Sequence, residues 1–134
     1  MDIHHIALVD DNSIFCFIFE KLIGKYEGSK VKVLAFDNGQ SALTYFITHK
    51  DNKALLPELV FVDINMPILN GWQMLDALVG DEHPLTEGTP FFIVSSSDAS
   101  IDISKSKEYP FVKDYLHKPL DKKQLFFFLD QYLK

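Results

Sequence analysis

The chain has 134 residues, 47% hydrophobic and 24% charged, with a formal net charge of −6, which predicts one compact domain over residues 1–134 with a core that needs no disulfide or structural metal. All 13 basic residues are lysine; an acidic chain without a guanidinium fork argues against a nucleic-acid partner, and no apolar run approaches the roughly 18–20 residues that cross a bilayer. The N-terminus is acidic and unlike a secretory signal, and a single cysteine, Cys16, excludes an internal disulfide, so a cytoplasmic location is expected.

Ile6-Ala7-Leu8-Val9 is a continuous apolar run ending at Asp10-Asp11, the pattern of a strand buried on both faces. From Ser13 to Tyr26 apolar residues recur at helical spacing, and the expected inward face is Phe15, Ile18, Leu22 and Tyr26. Val31–Phe36 reads as a second strand. Asn38-Gly39 is taken as a strand-to-helix turn rather than a hairpin, because Ala42, Leu43, Phe46 and Ile47 follow at helical spacing. Leu59–Val62 is a third strand ending at Asp63, and Gly71–Leu78 a short helix. Phe91–Val94 is a fourth strand running into Ser95-Ser96-Ser97, which would cap the weak, polar helix expected over Ala99–Glu108. Tyr115-Leu116 lies in a fifth strand before Lys118-Pro119, and Asp121–Leu133 forms the last helix. Five strands alternating with five helices predict an α/β fold, a doubly wound five-stranded parallel sheet covered on both faces.

In such sheets ligands sit outside the carboxyl ends of the strands. Those ends supply Asp10, Asp11, Asp63, Ser95 and Lys118. Converging carboxylates repel one another unless a cation joins them, and an all-oxygen set suits a hard octahedral ion such as Mg²⁺, with Mn²⁺ as a substitute. A lysine beside them and a hydroxyl opposite would neutralise and hydrogen-bond a transferred phosphoryl group. A carboxylate can itself be the nucleophile, giving an aspartyl phosphate.

The stretches LVDDN (Leu8–Asn12), VFVDINMPILNGW (Val60–Trp72), IVSSS (Ile93–Ser97) and DYLHKPL (Asp114–Leu120) together resemble the receiver domain of two-component response regulators, over essentially the whole chain. The resemblance implies a flavodoxin-like (βα)5 fold with no output domain attached. It implies Asp63 as phosphoacceptor, Asp11 as a direct metal ligand, Asp10 beside it, and the backbone carbonyl of Asn65 as a further ligand. It also implies Ser95 as the switch hydroxyl, Tyr115 as the aromatic switch, Lys118 as the partner of a phosphoryl oxygen, and a cis bond between Lys118 and Pro119. The implied partners are a sensor histidine kinase or histidine phosphotransfer protein and a downstream target protein. The regulator would act as a monomer or a phosphorylation-dependent homodimer.

Rival readings are a phosphohydrolase of the haloacid-dehalogenase type, a dinucleotide-binding domain and a receiver fold serving as a constitutive binding module. The hydrolase needs D-x-D, where the second aspartate moves a proton; here Asn65 stands at that place. No G-x-G-x-x-G follows the first strand, and the acid pair and lysine that a mere binding module could lose are present. The histidines are scattered without metal spacing, and Cys16 has no nearby base, so an inert thiol is expected. Ile14 and Phe17 on the first helix and Phe127 on the last are left facing solvent. In the family the start of the first helix borders the kinase-docking surface, and the fifth helix contributes to the output or dimer face.

Overall fold

A computed structural model describes residues 3–97 and 99–133. Its elements in chain order are β1 (Ile3–Val9), α1 (Ser13–Gly24), β2 (Lys30–Phe36), α2 (Gly39–Thr48), a single 3-10 turn (Lys53–Leu55), β3 (Leu59–Val62), α3 (Gly71–Gly80), α4 (Leu85–Gly88), β4 (Phe91–Ser95), α5 (Ser100–Ser106), β5 (Val112–His117) and α6 (Lys122–Tyr132). The five strands form one all-parallel sheet in the order β2-β1-β3-β4-β5. The expected doubly wound α/β architecture is present. Among the described residues no helix is long and apolar enough to cross a membrane.

Strand alternation divides the core into two layers. Ala7, Val9, Val60, Val62, Phe91 and Ile93 face α2 and α3, packing with Ala42, Phe46, Met74, Leu75 and Leu78. Ile6, Leu8, Leu59, Phe61, Phe92 and Val94 face α1 and α6, packing with Phe15, Phe19, Leu125, Phe128 and Leu129. Since successive side chains point to opposite faces, the unbroken apolar runs are what a strand covered on both sides requires.

Two expectations need correction. Ile18 is 49% exposed, and the buried seam of α1 is Phe15, Phe19 and Ile23. The rotation is set by Phe19, whose ring meets Phe61 edge-on at 5.2 Å between centroids, so the i, i+4, i+8 row turns inward. Secondly, the described residues form six helices rather than five. The extra turn, α4, lies in the long α3–β4 connection, whose chain reversal includes Glu82 at a positive φ of 54°.

That connection is anchored by a buried histidine. His83 Nε2 lies 2.7 Å from the carbonyl oxygen of Phe46 in α2, and Nδ1 accepts from the Leu85 N–H at 3.1 Å. One ring thus satisfies two backbone groups on different elements. His83→Ala leaves both unsatisfied beside a void, and is expected to cost about 2–4 kcal/mol in urea unfolding. Unchanged stability would show that the connection holds without the ring.

Candidate functional site

The strand order reverses between β1 and β3, which open their carboxyl ends side by side. Backbone bonding continues past the last paired residues. The Asp63 N–H donates to the Val9 carbonyl at 2.9 Å, the Asp10 N–H to Phe36 at 3.0 Å and the Lys118 N–H to Ser95 at 2.9 Å. The backbone that carries these side chains is therefore tied into the same ladder as the strands themselves. Gly71 draws the loop after β3 in tightly, since a Cβ there would lie 2.5 Å from the Asp63 carbonyl oxygen and 2.8 Å from the Ile64 Cα. Ile68, in the same loop, takes a positive φ of 69° with its side chain exposed.

Asp10, Asp11 and Asp63 converge, each offering a carboxylate oxygen within 4.8 Å of the others. Asp10 and Asp63 are buried and Asp11 exposed. Lys118 Nζ lies 2.7 Å from Asp10 Oδ2 and 3.5 Å from Asp63 Oδ2. Asp10 Oδ2 is paired with that ammonium and has no further hydrogen-bond partner among the described residues, so its second lone pair remains free for a ligand. Three carboxylates face one ammonium. Burial foremost pushes the Asp63 carboxyl up from its ordinary range; the Asn65 N–H, donating to Oδ1 at 3.1 Å, opposes this, Asp10 adds to it, and Lys118 opposes it again. An all-oxygen cluster with spare acceptors and excess negative charge fits a hard divalent cation.

On the far side of the site Ser95 is fully buried, its Oγ accepting from the Ser97 N–H at 3.0 Å. Tyr115 is half-buried, and its hydroxyl donates to the Ser97 carbonyl at 2.8 Å. Ser97 Oγ in turn donates to Asp102 at 3.0 Å and accepts from the Ala99 N–H at 3.3 Å, so the serine run does steady the start of α5, whose own cap residue Ala99 offers no side-chain bond. The Lys118–Pro119 bond is cis. Cys16 is half-buried, and burial, with Asp10 and Glu20 nearby, pushes its thiol up to about 11, in keeping with an inert group.

All the expected site residues thus collect at one edge. The role of Asn12 could have been read and was not. Its amide N–H donates to Asp10 Oδ1 at 2.8 Å while its own Oδ1 caps α1 through the Phe15 N–H at 3.0 Å. Asparagine immediately before a helical pattern is the signal, and it recurs as Asn38 before α2 and Asn70 before α3. A cleft of about 560 Å³ adjoins the acid pair, bounded by Cys16, Phe17 and Glu20 of α1 and by Asp37 and Ser41.

Residues 6–129 match the response regulator receiver domain, and the chain belongs to that family. It is 32% identical over 120 residues to protein PilH of Pseudomonas aeruginosa, covering 90% of this chain and 89% of that one. A two-component response regulator from Cytophaga hutchinsonii superimposes with a TM-score of 0.85 at 25% identity, covering 99% and 98% of the two chains. The phosphorylated cyanobacterial phytochrome response regulator RcpA gives 0.79 at 22%, covering 99% and 96%.

The excess charge has a measurable consequence. A carboxyl held above its ordinary value disfavours the folded state once ionised: stability falls as pH rises through that window, and the cost is fully present above it. Asp63→Asn removes the charge and keeps the shape. In EDTA at neutral pH it should raise Tm by roughly 2–6 °C, the response of a domain this size to about 1 kcal/mol. The gap should narrow toward pH 4. A variant no more stable than wild type would show that Lys118 already balances the cluster.

Proposed function

We propose that the chain is a cytoplasmic, single-domain response regulator that takes a phosphoryl group onto Asp63 from a phosphohistidine of a sensor histidine kinase or histidine phosphotransfer protein. The observation that carries this is Asp63 itself, buried at the β3 end among two further carboxylates with Lys118 Nζ 3.5 Å from its Oδ2. The match to PilH, over 89% of that protein's length, supports the response-regulator reading. Its signal then passes to a downstream protein.

In the transfer an Asp63 carboxylate oxygen attacks phosphorus, an O–P bond forms, the P–N bond breaks, and the histidine nitrogen leaves with the electron pair. Asp10, Asp11 and Asp63, with the Asn65 carbonyl, would hold Mg²⁺, which offsets the negative charge gathering on the phosphoryl oxygens. Lys118 swings its contact from the carboxylates to a phosphoryl oxygen. Asn65 cannot act as the proton shuttle of a hydrolase, so rapid substrate turnover is disfavoured, and the aspartyl phosphate serves as a signal until the protein's own slower self-catalysed dephosphorylation removes it.

The switch follows from the shared attachment to Ser97. When the Ser95 hydroxyl turns to donate to the phosphoryl group, it gives up its bond from the Ser97 N–H, and the loop that anchors the Tyr115 hydroxyl is released. Tyr115 then moves inward and the surface around α5 and β5 changes.

Incubation with a small-molecule phosphodonor and Mg²⁺ should add the mass of one phosphoryl group to the wild type and none to Asp63→Asn. Equal labelling of both proteins would end the assignment. Donor docking is expected at the start of α1, where Ile14 is 71% exposed and Phe17, 60% exposed, lines the cleft. Phe17→Ala should slow phosphotransfer from the cognate kinase about tenfold, the loss of a central interface anchor, while small-molecule labelling stays unchanged. Unaltered kinase kinetics would exclude this docking face.

A further inference from the structure

Lys118 is held by more than its two carboxylates. Its ammonium sits over the face of the Phe15 ring, 4.4 Å from the centroid. Phe15 is almost fully buried, with its ring 6.2 Å from that of Phe19, so it cannot swing away cheaply. Its backbone is fixed in turn by the site. Asp10 Oδ1 accepts from the Asn12 N–H, Asn12 Oδ1 accepts from the Phe15 N–H, the Phe15 ring backs Lys118, and Lys118 returns to Asp10 Oδ2. The circuit closes on the two oxygens of one carboxylate.

We propose that Phe15 is a positioning residue for phosphoryl transfer: its aromatic face holds the Lys118 ammonium over the site when the pull of Asp10 is weakened. The inference rests on the receiver reading above and names a further residue on which that site depends. At present Lys118 sits closer to Asp10 than to Asp63, 2.7 Å against 3.5 Å. A divalent cation shared by the carboxylates would take much of the negative charge that attracts the lysine. Of the contacts that hold the ammonium itself, two carboxylates and one ring, the ring quadrupole is the attraction such a cation leaves intact, because it involves no carboxylate. A flexible four-carbon side chain without that backing spends more time in water, and less within reach of a phosphoryl oxygen on Asp63. An aliphatic side chain fills the same space but offers no negative face.

The test compares Phe15→Leu, Phe15→Met and Phe15→Tyr, each first checked for cooperative thermal unfolding. In metal-free protein the ring current should shift the Lys118 ε-methylene protons upfield by NMR. Leucine and methionine should abolish the shift, and tyrosine should keep it. With a small-molecule phosphodonor and Mg²⁺, the Leu and Met variants should label Asp63 about 3- to 10-fold more slowly, and the Tyr variant within about 2-fold of wild type. In a Lys118→Met background, Phe15→Leu should add less than about 2-fold, because the ring acts through the lysine. Wild-type labelling by Phe15→Leu overturns the proposal, and so does an equal slowing with and without Lys118. A wild type that takes no phosphoryl group, or an Asp63→Asn variant that takes as much, overturns the receiver reading itself and removes the inference with it.

Discussion

Asp10 and Asp63 are withdrawn from water at one edge of the sheet, with Asp11 beside them and a single ammonium between. Burying carboxylates in this way costs several kcal/mol per ion before any attraction repays it. The arrangement persists because the backbone beneath it does not yield. β1, β3 and β4 are buried on both faces, and their hydrogen bonding runs one residue beyond the strands to the aspartates and the lysine. A looser scaffold would let the charges separate into solvent and lose the site. The apolar core thus does more than stabilise the fold: it enforces an electrostatic conflict at its edge.

That conflict also decides what the site can bind. Excess negative charge with unused acceptors favours a hard cation, and the lysine supplies the remaining positive group for an anionic ligand. Neither feature alone selects phosphoryl chemistry; a carboxylate cluster could simply hold an ion, and a strand-end lysine could simply be a surface charge. The proposed phosphoryl chemistry rests on their contact, with Lys118 touching both buried aspartates. Ser95 and Tyr115 add a path outward, because each is tied to a different backbone group of Ser97. A hydroxyl and a phenol that share one loop residue cannot rearrange independently.

How much of this was legible in the sequence depends on the kind of regularity involved. The sheet was plain because central parallel strands are unbroken apolar runs, and the site was plain because Asp10, Asp63 and Ser95 each stand at the end of such a run, with Lys118 marked by the proline after it. The face of α1 was misjudged at Ile18, since a helix with apolar residues at so many positions has no single stripe and only the Phe19–Phe61 contact fixes its rotation. The extra helix α4 was missed because a single turn leaves no periodicity to detect. His83 could be placed among packing residues but not given its two backbone partners, which come from α2 and α4 and meet only in the fold. Phe15 was readable as a core residue, yet its contact with Lys118 spans most of the chain and leaves no local trace.

The two ends of the sheet divide the work. The long connections before β3 and β4 gather at the amino edge, where they enclose a groove of about 800 Å³ lined by Leu56, Pro57, Leu85 and Tyr132 and where His83 locks one of them down. Stability gained there offsets destabilising charge at the opposite edge without touching the aspartates. This separation makes a poised site tolerable. A domain that carries uncompensated charge in its resting state shifts readily when a ligand brings compensation, since the change in population depends on the difference in free energy between the two states and not on how tightly either one is packed. On the proposed function, the same excess of negative charge that weakens the resting fold would make it responsive, and Lys118, held between two carboxylates and an aromatic face, would be the group whose contacts change with that response.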